Sequence, residues 1–263
     1  MRKSSVFWGL VVILAGVLLL LNSFGVLSYS AWKVFWPAFL ILLGIWFLLL
    51  PVFRKNEQVT SRHITLPVEE TSEVEVIFRH GAGRLKVGAA AVNDALLDGD
   101  FTGEVEQKLI RNGSLAKVQL SAKEESFIPF GSGSGLTWDF GLSRFVIYRL
   151  VFKTGASESL INLEDLQVKE VTLDTGASNS TITLPARAGM TRVEVTFGVA
   201  SVNLTVPEGV AGRIKVESGL SGIKIDTNRF PVAGNEYQSV DYATAENRVD
   251  ILVKSGLGSL SIQ

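Results

Sequence analysis

Val171-Thr-Leu-Asp-Thr-Gly-Ala-Ser-Asn-Ser-Thr-Ile-Thr-Leu184 carries the pattern that decides the fold. Val171 and Leu173 alternate with polar residues, Gly176 interrupts, and Ile182 and Leu184 resume the alternation. Period two over short β-branched runs specifies strands with one buried face. The unit returns from Val74 to Val87, from Leu150 to Leu163, from Val193 to Val206, from Ile214 to Ile225 and from Val249 to Ile262. Its central glycines are Gly81, Gly155, Gly176, Gly198, Gly219 and Gly256, the middle four spaced by 21, 22 and 21 residues. A fixed period of this size marks stacked repeats, because one strand pair cannot bury its apolar face alone and a stack can.

Each glycine is read as a turn between two strands, supplying either a positive φ or room for close stacking. Pro185, Pro207 and Pro231 follow strands and stop them. At about 4.8 Å per layer, six or more layers make a rod on the order of 30–40 Å long. A parallel β-solenoid and a stack of antiparallel hairpins both satisfy the pattern, and the even period favours the solenoid-like form.

Composition separates the chain into two parts. The 263 residues are 47% hydrophobic with a mean hydropathy of +0.30, and the excess is local. Residues 1–55 hold no Asp or Glu, five of the 25 Lys and Arg, and four of the five Trp. Removing those five bases leaves 20 basic against 26 acidic residues in 56–263, a formal −6. An acidic soluble part argues against nucleic acid as a partner. There are no cysteines, which excludes disulfides, thiolate nucleophiles and zinc-finger-type sites.

Val6 to Leu21, weakly extended to Leu27, and Val34 to Phe53 are each apolar and long enough to cross a bilayer. Together they read as a transmembrane α-helical hairpin with the lipid bilayer as its first partner. Arg2 and Lys3 precede the first span and Arg54 and Lys55 follow the second, while the connector carries only Lys33. The positive-inside rule then puts both ends, and the β-domain, in the cytoplasm of a multi-pass cell-membrane protein. A cleaved signal peptide, with Ser28-Tyr29-Ser30 as its cleavage site, is the competing reading. The expected domains are a hairpin over 1–55, a linker over 56–63 and a β-repeat domain over 64–263. That domain divides into 64–125, a Gly/Ser-rich connector over 126–143, and regular repeats over 144–263. Ala89 to Leu97 is expected to be a short helix or a loop.

With these elements laid out, the chain resembles the LiaF family of bacterial envelope stress-response proteins. The hairpin likeness rests on Phe7-Trp8-Gly9-Leu10, Leu21-Asn22, Trp36-Pro37 and Leu42-Leu43-Gly44. The β-part likeness, to the toast-rack domain, rests on Trp138-Asp-Phe-Gly-Leu142 and the two Thr-Gly-Ala-Ser turns at 154–157 and 175–178. Its most specific part is the tail block from Tyr237 to Asp250, followed by Ser255-Gly-Leu-Gly-Ser259. The resemblance implies a non-enzymatic membrane protein that restrains a sensor histidine kinase of a cell-envelope two-component system.

Candidate chemistry is sparse. His63 lies in the linker and His80 beside a turn glycine, neither with an evident partner. Nucleophile-elbow, zincin and Walker motifs are missing, so no catalytic, cofactor or metal residue is expected. Gly131-Ser-Gly-Ser-Gly135 lacks the Lys and helix start of a phosphate loop. Asp139, Glu164, Asp165 and Asp174 are read as turn and surface carboxylates, and Trp138 as a cap over one end of the stack. The last strand, Gly258, Ser259, Leu260, Ser261 and Ile262, is read as an open edge for strand addition by a partner or a second copy. The functional expectation is a regulator or scaffold binding a membrane partner such as a histidine kinase, with homo-oligomers compatible. An adhesin-like surface module is the alternative.

Overall fold

The structure, a computed structural model, describes residues 61–91, 94–122 and 136–263, with Val11 and a few positions between Trp36 and Ile45. The chain divides into two compact units, an N-terminal one and the β-domain. Helical residues occur at Val11, at 36–37, 39–41 and 43–45. Among the described residues no helix is long and apolar enough to cross a membrane. Apart from those few positions, the expected two-span hairpin lies outside the described residues, as do its charged flanks Arg2, Lys3, Arg54 and Lys55 and the Gly131–Gly135 segment.

The β-domain is one 13-stranded sheet system. Its body is six long strands: β2 (Glu73–Ala89), β7 (Ile147–Asn162), β8 (Gln167–Thr183), β9 (Met190–Thr205), β10 (Ala211–Ile225) and β13 (Arg248–Ile262). They lie parallel and in register, in the spatial order β2-β7-β8-β9-β13-β10. The pairing is therefore that of a solenoid and not of stacked hairpins.

Each long strand runs unbroken through its glycine, which corrects the reading of a turn between two strands. A strand of 16 residues spans roughly 50 Å when straight, yet Leu163–Leu166 alone links β7 to its parallel neighbour β8. Each strand must double back within its own layer. The bend is visible in β7, where Tyr148, Leu150, Phe152 and Thr154 are buried, Gly155 and Ala156 are exposed, and Ser157, Ser159 and Ile161 are buried. The alternation slips by one residue at the corner, so both arms face the same interior. The six corner glycines have no positive φ. Their role is close stacking: a Cβ at Gly155 would lie 2.5 Å from the Gly81 carbonyl oxygen, and one at Gly256 2.5 Å from that of Gly198.

The stack does not follow chain order. Val206–Val210 carries the chain past a vacant level to β10, and β13 returns to fill the space between β9 and β10. A strand buried on both sides profits from an apolar sequence. Val249, Ile251, Val253, Leu260 and Ile262 of β13 are all buried, whereas β10 carries Lys215, Glu217 and Lys224 and leaves Ile223 40% exposed.

The other end is closed by shorter strands: β1 (Ser61–Pro67), β3 (Ala95–Thr102), β4 (Val105–Asn112), β5 (Leu115–Ala122) and β6 (Leu136–Leu142). β5 pairs with the first arm of β2, and β6 with the second. Seven residues of the expected 126–143 connector thus form a core strand. Trp138 on β6 is fully buried, edge-on to His80 and Phe101, so it closes this end from within the sheet. Of the expected helix or loop over 89–97, Ala89 ends β2 and residues 95–97 open β3, and the described residues between them, 90, 91 and 94, are loop and turn. The first strand begins at Ser61, inside the expected linker.

Candidate functional site

The expected partner-binding edge is paired on both sides. Gly258 faces Ala200 and Ser221, Ser259 faces Ser201 and Gly222, and Leu260 faces Val202 and Ile223. Ser261 lies between Asn203 and Lys224, and Ile262 between Leu204 and Ile225. A strand enclosed in this way has no free backbone groups to offer. Chain end and sheet edge differ because β13 is threaded inside.

The edge belongs to β10. On its outer side, β12 (Glu236–Gln238) pairs only with Arg213 and Ile214, and β11 (Val232–Ala233) pairs with β12. Among the described residues, Lys215 to Ile225 has no strand on that side. The tail block builds this arrangement. Ser239 receives the Gly212 amide proton on its Oγ at 2.9 Å and returns its own amide to the Gly212 carbonyl at 2.9 Å. Arg213 forms a two-armed ion pair with Asp250, at 3.0 and 2.7 Å, and lies 5.1 Å from the Tyr242 ring centre. Asn247 accepts the Gly189 and Ala211 amides, and Phe230 fills the space beside Gly212. The block clips β13 under β10, so its role is structural.

The corners form a ridge. Gly155, Gly176, Gly198, Gly256 and Gly219 stack there, and Val199 and Leu257, which are register partners, stand 60% and 49% exposed beside them. An open depression of about 910 Å³ adjoins the corner of β2, with Arg79, Lys153, Glu106 and Asp174 on its walls. Cations and carboxylates are mixed there, and His80, Ser121 and Thr154 also line it.

The histidines differ from their sequence reading. His63 sits on β1 opposite Asp100, its Nδ1 3.0 Å from Asp100 and its Nε2 3.1 Å from Asp98. A neutral ring can donate to only one carboxylate, and the imidazolium donates to both. The Asp100 hydrogen bond, helped by Asp98, raises the affinity of this exposed ring for its proton. His80 is buried, and Nε2 donates to the Leu136 carbonyl at 3.1 Å while Nδ1 meets no partner. Burial lowers its pKa. The weighed acids are dispersed: Asp139 pairs with Lys86 at 3.0 Å, and Asp165 with Arg144 at 3.6 Å. Among the described residues no group of three or more His, Asp or Glu could hold a metal ion.

Comparisons with known proteins agree with this geometry. Residues 6–48 match the LiaI-LiaF-like transmembrane region, and residues 54–205 match the N-terminal domain of toast_rack, DUF2154. No curated protein matches the chain. A candidate cell-adhesion protein from Clostridium sporogenes superposes with a TM-score of 0.70 at 18% identity, over 77% of this chain and 98% of that one. At that identity the likeness concerns the fold alone. A candidate adhesin from Bacteroides fragilis aligns over 79% of this chain and 98% of its own, at 10% identity and a TM-score of 0.33, too low to inform the fold. The bent parallel layers and the match over residues 54–205 make this chain a member of the toast_rack family, with a LiaI-LiaF-like transmembrane region ahead of its β-domain.

Proposed function

We propose that this protein is a non-enzymatic, membrane-anchored regulator or scaffold of bacterial cell-envelope stress signalling. The observation that carries the reading is the union, in one chain, of a LiaI-LiaF-like transmembrane region and a toast_rack domain. The N-terminal segment tethers as a two-helix hairpin, with Arg2, Lys3, Arg54 and Lys55 holding both ends in the cytoplasm. The β-domain binds a membrane protein, a sensor histidine kinase, and its occupancy sets the kinase's signalling state. Parallel layers repeated along a stack present long surfaces and edges, which suit protein contacts. The test is affinity purification of the full chain from bacterial membranes. A histidine kinase is expected to co-purify and to autophosphorylate less when the protein is added. Absence of a kinase, or unchanged autophosphorylation with folded protein, overturns the reading.

An adhesin-like surface module is the second reading, favoured by the fold likeness to the Clostridium sporogenes protein. Val240 is 93% exposed and the chain has no cysteine, so Val240→Cys reports topology cleanly. Protection from a membrane-impermeant thiol reagent in intact cells supports the regulator, and ready labelling supports the adhesin.

A further inference from the structure

The outer face of the stack follows a charge rule with one exception. Register neighbours on parallel strands stand side by side about 4.8 Å apart, and like charges there repel. Glu75, Arg149, Glu170, Arg192, Asp250 and Arg213 are successive neighbours from β2 to β10, and their signs alternate throughout. Arg84 with Glu158, Lys86 with Asp139 and Glu217 with Lys254 obey the same rule. Arg79 on β2 and Lys153 on β7 break it, being register neighbours of the same sign. Both are exposed, and neither side chain makes an ion pair or hydrogen bond among the described residues.

The exception falls at the depression of about 910 Å³ beside the β2 corner, which both cations line. β5 covers β2 up to Arg79 and β6 covers it from Gly83, so among the described residues His80, Gly81 and Ala82 have no strand on that side. Gly81 and Gly155 line the depression without side chains, which leaves room beside the cation pair. Ser121 faces Arg79 from β5 and adds a hydroxyl. The row then ends in a carboxylate on each side, with Glu106 facing Ser121 and Asp174 facing Lys153.

We infer that Arg79 and Lys153 hold the phosphate group of a monoester in this depression. Two adjacent cations match a dianion, and a phosphate monoester carries about −1.5 to −2 charges at pH 7. Arg79 supplies a fork of N–H donors and Lys153 a compact charge, both suited to phosphate oxygens. A carboxylate ligand would neutralise only one of the two cations. A polyanion would carry its next charges onto Glu106 or Asp174, so the row admits one phosphate and rejects nucleic acid. Two sources offer this chemistry, a soluble phosphate ester and the headgroup of an anionic lipid. The site is formed by the β-domain alone and does not depend on the signalling reading.

The test titrates the full chain, in phosphatidylcholine nanodiscs at low salt, with glycerol 3-phosphate by calorimetry. Binding with a Kd of about 1 mM or tighter is expected. Arg79→Gln and Lys153→Gln should each weaken it about tenfold or more, whereas Arg192→Gln, the same loss of charge elsewhere on the outer face, leaves it unchanged. All three positions are exposed, so far-UV circular dichroism should be unchanged in every variant. Dimethyl phosphate, a singly charged diester, should bind about tenfold more weakly than the monoester. Nanodiscs carrying phosphatidic acid separate the sources: glycerol 3-phosphate binding lost there assigns the site to a lipid headgroup, and equal binding assigns it to a soluble ester. Both results uphold the site. No binding by the folded chain, an equal loss in Arg192→Gln, full binding in Arg79→Gln or Lys153→Gln, or a diester bound as tightly as the monoester overturns the inference.

Discussion

Adding one methyl group at successive corners should produce a graded loss of stability that follows the gap to the next layer. A Cβ at Gly198 would sit 3.2 Å from the Gly176 carbonyl oxygen, a few tenths of an ångström inside ordinary contact. At Gly256 the distance is 2.5 Å, and at Gly258 it is 1.9 Å to the Ala200 carbonyl with a φ of +140°. Those carbonyls belong to strands paired on both sides, so they cannot retreat without disturbing two ladders. Overpacking of this kind costs about 1–3 kcal/mol. Replacing glycine by alanine also restricts the unfolded chain, which returns about 0.4–1 kcal/mol where φ is compatible. Gly198→Ala should therefore be close to neutral, Gly256→Ala should lose about 1–2 kcal/mol, and Gly258→Ala should lose most, because its φ forfeits the compensation. For a domain of roughly 200 residues each kcal/mol moves Tm by about 2–4 °C. Thermal unfolding of the full chain in detergent, followed by far-UV circular dichroism, reads the order directly. Equal Tm for the three variants, or Gly198→Ala as the worst, would refute close stacking as the glycines' role.

Two further perturbations probe the ends of the stack. Phe230 is fully buried beside Gly212, so Phe230→Ala removes the cover over β10 and should cost about 3–5 kcal/mol in urea unfolding; a loss under about 1 kcal/mol would contradict a closed end. Burial lowers the His80 pKa, so the unfolded chain binds the proton more readily and folding stability falls as pH drops below the ordinary histidine value near 6.5. His63, raised by Asp100 and Asp98, acts in the opposite sense, losing its contribution as pH rises through its elevated pKa. In a His63→Asn background, unfolding between pH 7 and 5 should therefore show acid destabilisation that His80→Phe removes, and a flat profile would argue that His80 is solvated.

The body of the fold was legible because alternation reports which face of a strand is buried. Val171, Leu173, Ile182 and Leu184 mark both arms of one layer, and the evenly spaced glycines mark the corners. The bend itself escaped because a turn and a corner have the same sequence signature. The layer order escaped for a different reason. Every layer shares the same pattern, so neighbours are interchangeable on pattern alone, and the last strand reads as the last layer. The apolar run through Ile251, Leu252 and Val253, against the charges of Lys215, Glu217 and Lys224, was the available hint that β13 sits inside and β10 outside. The His63 partners lie 35 and 37 residues away on a strand expected to be a helix or loop in part, so local reading had no means of finding them. The tail block from Tyr237 to Asp250 stood out by resemblance, but its work as a clip depends on contacts with Gly189, Ala211 and Gly212 that only the folded stack creates.

The threading of β13 between β9 and β10 is the claim on which the free edge depends, and a pair of cysteines in this cysteine-free chain tests it most directly. Ser201 and Ser259 are register partners on β9 and β13 with their hydroxyl oxygens 2.8 Å apart. Ser201→Cys with Ser259→Cys should oxidise readily to an intramolecular disulfide, seen as a mass loss of two hydrogens and a linked peptide after proteolysis. Ser201→Cys with Gly222→Cys should remain reduced, because β13 separates those positions by two layers, roughly 10 Å. A 201–222 disulfide in place of the 201–259 one would mean that the layers stack in chain order, and the account of the edge would fall with it.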